Sequence, residues 1–208
     1  MTVPSLRRLT AAAVPLGLNV ALAATLSGCV SFGAKPPPTF MALTSSQPPA
    51  PTAGGIVPEN SALTVFTPTY PQELASARVP VRTGPTQVAY IKGAQWEDVP
   101  AKLFRALLAD TISARTGRLT LEPRDYHVAP GPRLSGKLST FGLDEASRSA
   151  VVTFDAMIER DGKPLETRRF QSKVPAAMDA DGARAGLNQA ANDVATQVAD
   201  WIGPAGAP

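Results

Sequence analysis

The stretch Gly131-Pro132-Arg133-Leu134-Ser135-Gly136-Lys137-Leu138 has the glycine spacing and the lysine of a phosphate-cradling loop. Such a loop needs Ser or Thr after the lysine to ligate magnesium, and a helix to follow it. Here Leu138 stands in that place, and Leu134 to Phe141 alternates like a strand. The stretch therefore reads as a strand with a glycine where another element packs closely. His127 is the only histidine in the chain, so a Ser-His-Asp arrangement would depend on it alone. Asp125 shares its loop, no Gly-x-Ser-x-Gly elbow occurs anywhere, and Tyr126-His127-Val128 reads as surface or edge structure. Asp144 with Glu145 and Asp179 with Asp181 read as turn and helix-cap carboxylates, because a catalytic pair needs burial that their neighbourhoods do not offer. No catalytic, cofactor-binding or metal-binding residue is assigned. The aromatic-rich segment Tyr90 to Pro100 is more informative. Trp96, just before a helix start, reads first as a staple that packs the helix entry onto the sheet. The alternative is an exposed partner contact made by Tyr90, Trp96 and Asp98, since aromatic residues dominate interface hot spots.

One thiol remains. Arg7 and Arg8 precede an apolar run from Leu9 to Leu26, then come Ser27, Gly28 and Cys29, the only cysteine. A basic n-region, an apolar h-region and small residues at a cleavage point make a signal peptide. A transmembrane helix is the competing reading, and Pro15, Gly17 and Asn19 weaken it. Leu26-Ser27-Gly28-Cys29 resembles the lipobox of bacterial lipoproteins, in which diacylglycerol is attached to the cysteine sulfur before a peptidase cuts in front of it. The expected product is anchored by acylated Cys29, and each buried methylene contributes about 0.8 kcal/mol, so two or more chains make a durable anchor. Val30 follows the cysteine. The absence of Asp there resembles lipoproteins passed on to the outer membrane, facing the periplasm. With one cysteine, neither an intrachain disulfide nor a cysteine-based metal site is available. Removing residues 1 to 28 takes away Arg7 and Arg8 and leaves 18 Lys plus Arg against 17 Asp plus Glu, a near balance that gives no support to nucleic-acid binding.

These residues need a scaffold. Val30 to Asn60 holds seven prolines and reads as a tether, with a reach of at most about 90 Å in polyproline geometry. Within it, Thr39-Phe40-Met41-Ala42-Leu43 alternates and is suited to an edge strand. Residues 61–203 suit one domain, and 204–208 read as a disordered tail. Leu63 to Phe66 and Gln87 to Ile91 read as strands. Glu97-Asp98-Val99-Pro100 starts a helix that Gly117 ends, with Leu103, Leu107 and Ile112 on one face and Phe104 and Leu108 flanking. Short strand Arg118 to Glu122 follows, then Arg133 to Leu143, Ser149 to Glu159 and Leu165 to Lys173, the last two joined by the turn pair Asp161-Gly162. A final helix, Ala180 to Ile202, carries an apolar stripe of Leu187, Ala190, Val194, Val198 and Trp201. The fold class is α/β: a single domain with a mixed or antiparallel sheet of five or more strands packed against two main helices.

Together these pieces resemble the ABC-type transport auxiliary lipoprotein component family, which includes the paraquat-inducible protein C-like lipoproteins. The residues that carry the resemblance are Cys29, Phe40 to Leu43, Leu63-Thr64-Val65, Arg82, Tyr90 with Trp96-x-Asp98-x-Pro100, Leu134-x-Gly136-x-Leu138, and a terminal helix with Trp201. Phe40 stands where the family often has tyrosine. The resemblance implies a non-enzymatic outer-membrane lipoprotein that works with an inner-membrane ABC permease, its ATPase and a lipid-binding MCE-domain protein to move phospholipid or another apolar molecule between membranes. It also implies self-association into rings. Two other readings stay open: an outer-membrane assembly lipoprotein that escorts a β-barrel, and a lipid-anchored periplasmic hydrolase that would depend on His127.

Overall fold

The computed structural model describes residues 39–48, 62–123 and 131–204. The leader, the lipobox with Cys29, His127 with Asp125, and the tail beyond Pro204 lie outside the described residues. Strand β1 (Leu63–Val65) is followed by a 3-10 turn (Gln72–Leu74), β2 (Arg78–Arg82), β3 (Val88–Gln95), helix α1 (Pro100–Thr116) and the two-residue β4 (Thr120–Leu121). Then come β5 (Arg133–Asp144), β6 (Ser149–Glu159), β7 (Glu166–Pro175) and α2 (Ala180–Ile202).

The sheet is mixed. β5, β6 and β7 form the antiparallel meander that their two-residue period dictates, and the second turn uses Gly162 at φ 72°. β1 and β2 both run parallel to β5 along its other edge, β1 against the first residues of β5 and β2 against the last. β3 adds antiparallel to β2, and β4 parallel to β1. At the opposite margin β7 pairs, among the described residues, only with β6. β2 has no counterpart among the strands expected from the sequence, and it carries Pro80, a residue usually kept out of strand interiors. The register of β2 on β3 shifts between Arg78 and Pro80, an irregularity that accommodates a residue without an N–H. β4 is shorter than its expected span, and β3 runs past Ile91 to Gln95.

Gly136 explains why the glycine-lysine stretch is strand. It lies in β5 at φ 154°, and a Cβ there would stand 2.2 Å from the Asp155 carbonyl oxygen and 2.8 Å from the Phe154 ring. Only glycine allows that approach.

Both helices cover one face of the sheet. Pro100 occupies the first turn of α1, and Gly117, left-handed at φ 68°, closes it by donating its N–H to the Ser113 carbonyl. Phe104 and Leu108 are fully buried with Leu107 and Ile112, while Leu103 is only half-buried, so the core face is turned slightly from the expected one. Phe104 meets Phe141 and Phe154 edge-on at centroid distances of 6.4 and 5.4 Å. Asp179 caps α2 by accepting the Gly182 N–H at 2.8 Å. The stripe of α2 is alanine-rich, which lets the helix lie close: a Cβ on Gly186 would meet the Ala150 and Ala176 methyls at 2.9 Å. Arg118 is buried and donates to the carbonyls of Gly203 and Pro204, satisfying the chain where α2 ends.

Residues 40 to 48 belong to this folded body, which corrects their placement in the tether. Met41 is 2% exposed within the core. It donates its N–H to Gln95 at 2.8 Å and accepts from the Glu97 N–H at 3.0 Å, a single bridge past the end of β3. Farther along, the buried Asn192 of α2 donates to the Thr44 carbonyl at 2.9 Å and accepts the Ser46 N–H at 2.7 Å. The segment is a strap fixed at both ends.

Candidate functional site

Tyr90, Trp96 and Asp98 are close in sequence and separate in space. Trp96 is 1% exposed, its ring 5.5 Å from that of Phe141, so it packs the helix entry and offers a partner no surface in the folded chain. Its indole N–H has no hydrogen-bond partner among the described residues. Tyr90 sits on β3 opposite Pro80, with the Arg78 guanidinium 3.9 Å over its ring. Asp98 precedes α1, accepting the Val99 N–H at 2.6 Å and the Lys102 ammonium at 3.1 Å. The backbone bond from Val99, then the bond from Lys102, hold its carboxyl below the usual carboxylate range. One residue is core, one lies on the sheet, and one stabilises a helix start; they form no common site.

The carboxylate pairs sit where turns and caps place them. Asp144 accepts the Ser147 N–H at 3.2 Å in the β5–β6 turn, and Asp181 pairs with Arg184 at 2.8 Å in the first turn of α2. Among the described residues, no group of three or more His, Cys, Asp or Glu side chains is placed to hold a metal ion.

Among the described residues no helix covers the sheet face away from α1 and α2, and its side chains are largely polar. On it Asp155 accepts from Arg169 and from the Ser139 hydroxyl, each at 2.5 Å, and these bonds, the arginine's foremost, lower its pKa. Gln171 donates to Thr153 at 2.8 Å. Nearby a shallow trough of about 200 Å³ is lined by Glu73, Arg82, Val88, Val151, Gln171 and Lys173, with Arg82 and Glu73 3.8 Å apart across it. Charged side chains of both signs stand there beside apolar ones. Sequence reasoning missed this trough because β2, which supplies Arg82, was not read as a strand. It also missed the grip of Asn192 on the strap, whose one signal is a polar residue between Ala191 and Val194 on the buried stripe of α2.

Comparison with known proteins agrees with this architecture. Residues 42–199 match the family described as ABC-type transport auxiliary lipoprotein component. The chain belongs to that family. A crystal structure of a Xanthomonas campestris protein of the DUF330 family is 20% identical, with a TM-score of 0.64, covering 79% of this chain and 94% of that one. An uncharacterized protein is 18% identical, with a TM-score of 0.59 over 70% of this chain and 94% of that one. A dodecameric PelC variant from Paraburkholderia phytofirmans is 11% identical, with a TM-score of 0.45 over 74% of this chain and 96% of that one. No curated protein matches. The DUF330 protein belongs to the same family, and the shared fold is an α/β domain in which the mixed sheet carries two helices on one side. A lipoprotein component of a transport system works in the cell envelope.

Proposed function

We propose that the chain is a non-enzymatic outer-membrane lipoprotein, anchored by acylated Cys29, that serves as a docking subunit of an ABC/MCE-type system moving lipid or another apolar molecule between membranes. The match of nearly the whole folded body, residues 42–199, to the auxiliary lipoprotein family carries this reading. The leader and Leu26-Ser27-Gly28-Cys29 supply the anchor. The polar sheet face that no described helix covers supplies a surface for protein contact, and no helix among the described residues is long and apolar enough to cross a membrane.

Cross-linking in cells followed by purification of the chain tests the proposal. Recovery of an MCE-domain protein or an ABC permease supports it, whereas recovery of a β-barrel in their place points to an assembly lipoprotein. In cells, Cys29→Ala should abolish the transport phenotype and His127→Ala should leave it intact. The reverse pattern would favour a hydrolase.

A further inference from the structure

The strap changes what the anchor can do. If the whole proline-rich stretch were free, the domain could stand some 90 Å off a bilayer. Among the described residues Met41 is the first held in the folded body, through Gln95, Glu97 and the core, so the chain that follows it adds nothing to the reach from Cys29. Residues 30 to 40 alone separate Cys29 from Met41, a span of about 37 Å even in polyproline geometry. That is little more than the roughly 30 Å hydrocarbon thickness of one bilayer.

Phe40 marks the place where this leash leaves the domain. It is 55% exposed although its neighbour Met41 is buried, and an aromatic side chain held at the foot of a lipid anchor partitions to the membrane–water interface. The strap also fixes which end of the domain lies near the foot. It is tied to the end of β3 at Gln95 and to Asn192 in the middle of α2, and because Met41 bridges Trp96 in parallel, the chain running back from Met41 to Phe40 heads toward the start of β3, which lies level with the start of β6 and the end of β7. The β6–β7 hairpin, with exposed Leu165, lies at the other end of those strands.

We propose that the end of the domain carrying Phe40 and the strap faces the lipid surface at close range, with the β6–β7 hairpin pointing away from it. This rests on acylation of Cys29 under the proposed function. Because Cys29 is the only cysteine and its sulfur is consumed by the lipid, a second cysteine becomes the only free thiol. The full chain carrying Thr39→Cys or Leu165→Cys is therefore produced in lipidated form, labelled with an environment-sensitive fluorophore and reconstituted into phosphatidylcholine vesicles containing a spin-labelled quencher lipid. Quenching several-fold stronger at position 39 than at 165 is expected. Inserting a dozen Gly and Ser residues between 30 and 38 should weaken the quenching at 39, and the same insertion between 49 and 61 should leave it unchanged. Equal quenching at the two sites, or equal effects of the two insertions, in protein whose Cys29 is shown by mass spectrometry to be acylated, would overturn the orientation alone. An unmodified Cys29 sulfur would instead bring down the lipoprotein reading beneath it.

Discussion

Asn192→Ala removes the side chain that makes two hydrogen bonds to the backbone of the strap's far end, leaving Asn188 bonded to the Thr44 hydroxyl. Two hydrogen bonds are lost, one to the Thr44 carbonyl and one from the Ser46 N–H. Each contributes about 1 kcal/mol net, so strap opening should become easier by about 2 kcal/mol, roughly thirty-fold in equilibrium. Global stability should fall by less, because alanine is the better helix former by about half a kcal/mol. Native-state amide exchange separates the two effects. The Ser46 amide loses its acceptor directly and is uninformative. The amides of Met41 and Glu97, whose partners Gln95 and Met41 the substitution does not touch, report whether the strap opens as one unit. Both should exchange faster by about the same factor, while amides in β6 change little. Unchanged protection at Met41 and Glu97 would show that the two ends of the strap are held independently, and the length of the leash would then be set by Met41 alone.

Met41→Ala should cost about 2–4 kcal/mol in urea denaturation, as expected for a fully buried methionine, where a true tether residue would cost nothing. Gly136→Ala should lower the melting temperature more than any other glycine-to-alanine change in β5 to β7 except Gly142→Ala, whose Cβ also meets backbone at 2.5 Å; both are read by calorimetry. The pKa of Asp155 is lowered in the folded state, chiefly by Arg169, so its contribution is fully present above the unfolded carboxylate pKa near 4 and disappears as pH falls through the lower folded value. Urea melts from pH 6 down to pH 2.5 should therefore show a shallower acid loss for Arg169→Ala than for the parent chain, and identical slopes would remove the pair from the account. Arg118→Ala should fray the end of α2, raising exchange at the Gly203 amide and in the last turn with little change in α1.

Much of the architecture was legible because periodicity reports burial directly. The meander was written in Val152, Phe154, Ala156 and Ile158, and the last helix in Leu187, Ala190, Val194 and Val198, all of them buried. Chain punctuation was equally plain, since Gly117 and Asp179 have few other uses. Long-range pairing was not legible. That β1 and β2 share one edge of β5 depends on which strands meet, and the three residues of β1 carry too little pattern to say. β2, with Pro80 inside it, was not legible either, nor was the trough that Arg82 lines. Composition misled at the strap: prolines on both sides made residues 40 to 48 look like linker, while the features that fix them, a buried methionine and one amide 146 residues from Ser46, belong to the tertiary fold.

The margin at β7 bears on how crowded such molecules can become. Anchored proteins share a plane, where local concentration is high and an unpaired strand invites addition of another chain. Arg168, Arg169 and Lys173 stand along this strand against the single acid Glu166. Two copies approaching through their β7 margins would bring together two strands of net positive charge, with Arg169 of each already paired to Asp155. If Cys29 is acylated as proposed, this excess of positive charge opposes edge-to-edge pairing between neighbours held in one leaflet.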